Sequence, residues 1–237
     1  MYRLPFPALT IAASLFAAGI LPRSGVAAPN ELTDTEKAAG WRLLFDGKTS
    51  KGWRGYGKES FPQTGWAIKE GCLHLLPKSG AGDIITTEQF DDYELQWEWR
   101  IAPKANNGIK YLATEARPNA RGQEYQMVDE TVFPDPRHQT AAFYDVLPPR
   151  GDKPIHPPGE WNQSRLIIRG QHVEHWLNDA KVLEYELGSA ELKAALAKSK
   201  FRNAAGFGDK IKGHILLTDH NSEVWFRSIK LRELPTR

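Results

Sequence analysis

The sequence of 237 residues predicts an all-β fold, a two-sheet antiparallel jelly-roll sandwich with one or two short peripheral helices. Three observations predict it. Many short apolar segments are separated by turn residues, one segment alternates strictly between apolar and polar residues, and no repeat or second apolar core divides the chain. Residues 28–237 are therefore expected to form a single β-sandwich domain, which is long enough to bury a large core.

The clearest predicted strand is 93–101, where aromatic and aliphatic residues alternate with charged and amide residues. A period of two gives a strand one face in the core and one face in water. Trp97 and Trp99 fall on the apolar face, so core packing is favoured over contact with a ligand. Shorter predicted strands of the same character lie at 43–45, 72–76, 84–87, 109–113, 166–169, 173–177, 182–187, 215–218 and 224–231.

Turn and helix signals complete the pattern. Residues 69–71 and 178–179 each separate two apolar segments with residues that accept left-handed backbone angles, so each predicts a β-hairpin. Helices are predicted at 33–39 and at 189–200, and the second has a serine that can cap its start and an apolar stripe along one face. Five prolines between positions 147 and 159 exclude a central strand and predict a stiff surface loop.

Residues 1–27 have the layout of a cleaved secretory signal peptide. One arginine precedes a long apolar stretch, and small residues follow it. Cleavage after Ala27 is preferred, because cleavage after Ala28 would leave Pro29 as the first mature residue. The chain is therefore expected in the periplasm or outside the cell, with no membrane anchor after cleavage.

The charge balance excludes some classes of partner. Arg3 and Arg23 lie in the predicted signal, which leaves 29 of the 31 basic residues against 29 acidic ones in the mature chain. No block of Lys or Arg stands out, so neither nucleic acid nor an anionic membrane surface is an expected partner. The single cysteine, Cys72, lies in an apolar segment and is expected to be buried rather than reactive.

The segment from Gly122 to Glu130 carries candidate catalytic groups. Glu124 and Gln126 would share one face of a strand, and Asp129 would join them only if a β-bulge added one residue. The spacing resembles the Glu-x-Asp-x-x-Glu strand of laminarinase-like glycosidases, with an amide in the middle position. Because a retaining glycosidase needs two carboxyl groups roughly 5 Å apart, ordinary retaining hydrolysis is disfavoured. A solvated strand face with incidental acids is the alternative.

A second candidate cluster is 218–221, where Asp219 precedes His220 at the predicted end of a strand. A histidine beside an acid can accept a proton near neutral pH, and a surface turn histidine is an equally good interpretation of this motif alone. Trp161, which follows the proline-rich loop, is a candidate for stacking on a sugar ring. No motif for a phosphate, a dinucleotide or a metal is present, so no cofactor and no metal are expected.

Several segments together resemble the bacterial 3-keto-disaccharide hydrolase domain family over about residues 40–234. They are GWRLLFDG at 40–47, NNGIKY at 106–111, GQEYQMVD at 122–129, GEWN at 159–162, HWLN at 175–178 and the stretch 213–227. The resemblance implies a concanavalin A-like or laminarinase-like jelly roll that cleaves an oligosaccharide or glycoside already oxidised at C3. A noncatalytic carbohydrate-binding module on the same sandwich is the alternative, since a fold does not settle function.

A ketone at C3 suits such a site because it acidifies the hydrogen at C2. A base can remove that proton, the C1 leaving group can be expelled through an enediolate, and water can then add. His220 or Glu124 is the candidate base, and Asp129 is the candidate acid or orienting group. The predicted substrate-binding residues are Asn107, Lys110, Gln126, Tyr144, Trp161, Asp219 and Arg227.

The signal layout predicts a processed mature protein. Intact-mass analysis of the secreted or periplasmic protein should give a chain that begins at Ala28. An Ala27→Arg variant should accumulate uncleaved, because cleavage of a signal peptide requires a small residue at this position. Recovery of wild-type material that still begins at Met1 would contradict the prediction.

Overall fold

The computed structural model describes residues 27–117 and 121–235. Within these ranges the chain forms two antiparallel sheets and two short helices, α1 (Asp34–Ala38) and α2 (Ala190–Leu196), so the predicted all-β sandwich is confirmed. The predicted signal peptide, apart from Ala27, lies outside the described residues. The strands are β1 (Arg42–Leu43), β2 (Trp53–Gly55), β3 (Trp66–Lys69), β4 (Cys72–Leu75), β5 (Ile84–Thr86), β6 (Tyr93–Ile101), β7 (Asn106–Ala113), β8 (Gln123–Val128), β9 (Asn162–Arg169), β10 (His172–Leu177), β11 (Ala180–Glu186), β12 (His214–Leu217) and β13 (Val224–Glu233).

The two sheets differ in size. The larger sheet has eight strands, in the order β11-β10-β9-β6-β13-β4-β3, with β1 paired to β13. The smaller sheet has five strands, in the order β2-β5-β12-β7-β8. Strands that are neighbours in space are often distant in sequence, since β13 lies between β6 and β4.

The core lies between the apolar faces of the two sheets. Trp97 and Trp99 on β6 are fully buried, which confirms the assignment of both indoles to the core. The Trp97 ring meets the Tyr125 ring of β8 edge-on, with 4.9 Å between centroids, so it joins the larger sheet to the smaller. The polar residues of β6 face outward, where Glu98 accepts a hydrogen bond from Arg227 of β13 at 2.6 Å.

Both predicted hairpins are present. The turn between β3 and β4 has left-handed backbone angles at Glu70 (φ 52°) and Gly71 (φ 73°), and the turn between β10 and β11 has them at Asn178 (φ 43°) and Asp179 (φ 66°). Cys72 begins β4 and is buried, and its burial raises the pKa of the thiol. The cysteine is therefore an apolar core residue, as predicted.

The helices begin where the sequence predicts. Thr33 caps α1 through a capping box with Glu36, and Ser189 caps α2 by accepting a hydrogen bond from the third helical N–H at 3.0 Å. The second helix ends at Leu196, earlier than predicted, because the Ser199 hydroxyl donates to the Leu196 carbonyl at 2.8 Å as the chain turns away. No helix in the described ranges is long and apolar enough to cross a membrane.

A buried hydrogen-bonded network lies inside the sandwich. His175 Nδ1 donates to the Ala141 carbonyl at 2.9 Å, so Nε2 accepts from the Tyr111 hydroxyl at 2.8 Å. The Tyr111 hydroxyl also lies 2.5 Å from the Tyr185 hydroxyl. Burial lowers the pKa of His175 to about 4, so this ring is neutral at pH 7.

The free energy of unfolding should fall as the pH is lowered from 6.5 to 4, because the unfolded chain protonates His175 and the folded chain does not. Its pKa drops from 6.5 to about 4 on folding. The stabilisation is therefore fully present above pH 6.5 and is lost towards pH 4, by up to about 1.4 kcal/mol per pH unit. Urea denaturation at several pH values should show a flatter dependence in His175→Gln. His156→Gln, at an exposed histidine, is the control, and equal slopes in His175→Gln and wild type would contradict the prediction.

Candidate active site

Glu124 on β8 lies at the centre of the candidate active site. Its neighbour Tyr125 points into the core, so the Glu124 carboxylate projects from the opposite face of the smaller sheet. Lys110 on β7 is directly opposite in the strand register, and its ammonium forms an ion pair with this carboxylate. Glu124 is only 3% exposed. A charge so far removed from water needs a partner of opposite charge, and Lys110 supplies it.

His220 is the second titratable group at this carboxylate. It follows β12 in a turn, and its Nε2 lies 3.4 Å from Glu124 Oε1. An ionised carboxylate can only accept, so Nε2 is the donor, and within the described residues Nδ1 makes no hydrogen bond. The His220 side chain is 39% exposed, so a ligand in solvent can reach it.

The charges around Glu124 fix its protonation state. Burial raises the pKa of this carboxyl group. The Lys110 charge and the hydrogen bond with His220 lower it by more than burial raises it, so that the pKa is about 2. A carboxylate with this pKa is a weak base at neutral pH. Its chemical value is its permanent negative charge, which holds an ammonium and an imidazole beside each other.

Asn107 and Asp219 hold the turn that carries His220. Asn107 is buried, and its Nδ2 donates to the Thr218 carbonyl at 2.8 Å. The Asp219 carboxylate accepts from the Gly82 N–H at 2.9 Å and from the N–H two residues after itself at 2.8 Å. Both residues are predicted to bind substrate, and in the structure their hydrogen bonds hold the backbone on either side of His220.

Gly108 on β7 makes room for the buried carboxylate. A Cβ at this position would lie 2.8 Å from Glu124 Cγ, closer than real Cβ contacts come. A larger residue at position 108 would therefore push Glu124 away from Lys110. This role of Gly108 cannot be predicted from its motif, because the clash depends on the register between β7 and β8.

Residues 139–147 cover the outer edge of β8 and bring Tyr144 to the site. The Tyr144 N–H donates to the Glu124 carbonyl at 3.0 Å, and the Gln126 N–H donates to the Ala142 carbonyl at 3.2 Å. Burial and the Glu124 charge raise the pKa of Tyr144, so its phenol stays protonated. The structure therefore places Tyr144 beside Glu124.

Lys200 reaches the same edge from the turn after α2. Its ammonium lies 4.2 Å from the centroid of the Tyr144 ring, and its backbone N–H donates to the Asp145 carboxylate at 2.6 Å. Neither Lys200 nor Asp145 was predicted from the sequence as a site residue. A lysine near the end of a predicted helix carries no signal that separates it from a solvated side chain.

Asp129 does not join this cluster. Its carboxylate accepts from the Lys104 N–H at 2.8 Å, from the Thr131 N–H at 3.1 Å and from the Thr131 hydroxyl at 2.8 Å. It caps the 3₁₀ helix Glu130–Val132 just beyond β8, and the register between β7 and β8 contains no bulge that would align it with Glu124. Asp129 is therefore a capping residue in this structure.

Gln126 shares its face of β8 with Glu124, as predicted, and its amide makes a hydrogen bond within the protein. The residue is buried, and its Nε2 donates to Asn106 Oδ1 at 3.0 Å. Asn106 is itself held through its N–H, which donates to the Ser222 hydroxyl at 3.1 Å. The amide thus links neighbouring segments beneath the site.

Arg227 lies on β13 of the larger sheet, and Trp161 directly precedes β9 of the same sheet. Phe226 of β13 is buried, so the adjacent Arg227 points outward from the larger sheet, with its guanidinium 3.9 Å from the centroid of the Trp161 ring. Arg100 lies 5.0 Å from the same centroid. The two predicted substrate-binding residues therefore contact each other and are not brought to Glu124.

A possible cation site in the described residues also belongs to the larger sheet. His172, Glu174 and Glu184 each offer one ligand atom within 4.8 Å of the others. However, Lys181 Nζ lies 2.6 Å from Glu184 and 3.5 Å from Glu174, so an ammonium already compensates these carboxylates. The group contributes no ligand to the Glu124 cluster.

The fold and the site define a class of protein, a jelly-roll sandwich enzyme whose titratable residues project from one face of the smaller sheet. The family model described as a 3-keto-alpha-glucoside-1,2-lyase-like domain matches residues 40–232. A protein of Bacteroides thetaiotaomicron named 3-keto-disaccharide hydrolase is 34% identical over 235 residues, covering 83% of this chain and 79% of its own. This chain therefore belongs to the 3-keto-disaccharide hydrolase family, as its motifs predict.

Solved structures agree with this assignment. A candidate glycosyl hydrolase from Parabacteroides distasonis ATCC 8503 has a TM-score of 0.80 and 30% identity, and the match covers 88% of this chain and 100% of that one. A second candidate from the same organism has a TM-score of 0.64 at 24% identity, covering 82% of this chain and 99% of that one, and shows the fold alone.

Replacing Gly108 by alanine should lower activity while leaving the sandwich folded, because the added methyl group displaces Glu124 from Lys110. We expect a fall in kcat/KM on the order of 10²-fold, the size of a lost electrostatic contact at a reaction centre. Gly151→Ala is the matched control, since a Cβ there meets no atom within 4 Å. Circular dichroism should be unchanged in both variants, and a Gly108→Ala enzyme with wild-type kinetics would refute the role.

Proposed function

We propose that this protein is an exported enzyme that cleaves the glycosidic bond of 3-keto-glycosides by C2 deprotonation, elimination and hydration. The glycoside-cleaving role follows from the family. The keto substrate is supported by the name of the relative. The mechanism is supported by one observation: the buried and ionised Glu124 holds Lys110 and His220 side by side.

The first step is proton transfer from C2 of the sugar to His220 Nδ1. The C–H electron pair forms a C2–C3 double bond, and the C3 oxygen takes the negative charge. Glu124 holds the ring through Nε2 and stabilises the imidazolium that forms, in the way that a buried carboxylate supports a catalytic histidine. Lys110 neutralises the Glu124 charge, so that the carboxylate does not oppose formation of the enediolate.

The second step expels the leaving group. The C3 carbonyl re-forms, the electron pair shifts to give a C1–C2 double bond, and the bond from C1 to the leaving oxygen breaks. The His220 imidazolium can return its proton to that oxygen. Water then adds, with hydroxide at C1 and a proton at C2, so the net reaction is hydrolysis.

This route fits the side chains better than retaining hydrolysis does. A retaining enzyme needs a nucleophile and an acid about 5 Å apart. The position two residues after Glu124 is an amide, and the Asp129 carboxylate is occupied by three hydrogen bonds. An elimination needs no carboxylate nucleophile, because the ketone of the substrate supplies the activation.

The test pairs a glucoside with its 3-keto form in deuterated solvent. We expect the wild-type protein to release aglycone only from the keto form and to place deuterium at C2. Glu124→Gln and His220→Ala should each lower the rate by ~10² to 10⁴-fold, the usual worth of acid or base catalysis. Glu98→Gln and His156→Ala are matched controls, since Glu98 faces outward on the larger sheet and His156 is exposed.

Three other outcomes would contradict the mechanism, the site or the enzymatic function. Product without deuterium at C2 would exclude the elimination. Wild-type rates in Glu124→Gln and His220→Ala would exclude this site. Binding of both sugars without cleavage of either would favour a noncatalytic carbohydrate-binding module.

A further inference from the structure

Lys200 is held at the candidate active site by a set of contacts that the proposed mechanism does not use. Its backbone N–H donates to Asp145 Oδ2 at 2.6 Å. The other oxygen of this carboxylate lies 2.9 Å from His138 Nε2. Asp145 thus ties the turn after α2 to the segment that covers the edge of β8.

The side chain of Lys200 extends from this anchor towards Glu124. Its ammonium lies over the ring of Tyr144, 4.2 Å from the centroid, and Tyr144 is hydrogen-bonded to the Glu124 backbone at 3.0 Å. The charges of Glu124 and Lys110 both act on it. Partial burial lowers the pKa of Lys200, the Glu124 charge opposes this effect, and the Lys110 charge adds to it.

The charges at the site leave the Lys200 ammonium available to bind an anionic group of a ligand. Glu124 is already compensated by Lys110, and its second oxygen faces His220. Within the described residues, Lys200 Nζ has no carboxylate at ion-pair distance, and its contacts are the rings of Tyr144 and Phe201. A cation over a half-buried aromatic ring is held weakly compared with one that donates to an oxyanion.

We propose that Lys200 is a further catalytic residue, whose ammonium donates to the C3 oxygen of the sugar and stabilises the enediolate. The inference rests on the proposed function. The ammonium leaves the ring of Tyr144 for the oxyanion without breaking an ion pair. Lys110 remains bound to Glu124, so the two lysines have different tasks, one structural and one at the reacting oxygen.

The role predicts which kinetic constant changes. The C3 oxygen carries a full negative charge only after the C2 proton has left, so Lys200 contributes more to the transition state than to the bound ketone. Lys200→Met should therefore lower kcat by about 10² to 10³-fold with little change in KM. Lys200→Arg, which keeps the charge, should recover part of the rate.

The experiment compares wild type, Lys200→Met, Lys200→Arg and Lys198→Met, the last being an exposed lysine two residues away that serves as the matched control. Turnover of a 3-keto-glucoside is measured first. Ascorbate, a cyclic enediolate at neutral pH, is then used as a binding probe by calorimetry without oxygen. We expect wild type and Lys198→Met to bind ascorbate and Lys200→Met to bind it at least about tenfold more weakly, since a charge-assisted hydrogen bond is lost.

The outcomes separate this inference from the proposed function. If wild type cleaves the keto sugar and Lys200→Met keeps its kcat, the role of Lys200 is wrong and the function stands. If wild type cleaves no keto sugar, the proposed function fails. In that case, weaker ascorbate binding in Lys200→Met still supports an oxyanion-binding lysine, and unchanged ascorbate binding overturns it.

Discussion

The site depends on one constraint, the placement of an ionised carboxylate where water cannot solvate it. Burying such a charge is costly unless neighbouring groups compensate for it, and the neighbours of Glu124 do so from separate elements. Lys110 comes from the adjacent strand, His220 from the turn after β12, and Gly108 leaves the space. A slip of one residue between β7 and β8 would turn this carboxylate into the core, so the strand register and the chemistry are fixed together.

The two sheets divide the remaining tasks. The larger sheet supplies the indoles of Trp97 and Trp99 to the core, and its outer face carries ion pairs such as Glu98 with Arg227. The smaller sheet presents the reactive groups. This division explains why the aromatic and guanidinium groups that a sugar site often uses are here stacked on each other, on the side of the sandwich opposite to Glu124.

Sequence patterns predicted most of the fold, because strands and turns are determined largely by residues that are adjacent in sequence. The alternation around Trp97, the left-handed turn at Asn178 and the cap at Ser189 are each readable from a few adjacent residues. The site depends only partly on residues that are adjacent in sequence. Glu124 and His220 were each identified, but their contact joins positions 96 residues apart, and only the strand order brings them together.

The residues that were misplaced or missed have physical reasons. Asp129 was counted as part of a strand, but β8 ends one residue before it, so its carboxylate caps a turn. Arg227 could not be separated from the site because alternation reveals a face of a strand and not the sheet to which the strand belongs. Lys200 could not be predicted as a site residue, because it lies 56 residues from its contact Tyr144 in sequence and in a turn rather than in a periodic element.

The central place of β13 also affects how the chain can fold during synthesis. This strand, the last in the described part of the chain, fills the gap between β6 and β4. Until it emerges, the edges of both neighbours stay unpaired and the larger sheet is split in two. A nascent chain therefore cannot complete the larger sheet until β13 has been synthesised, however early its other strands emerge.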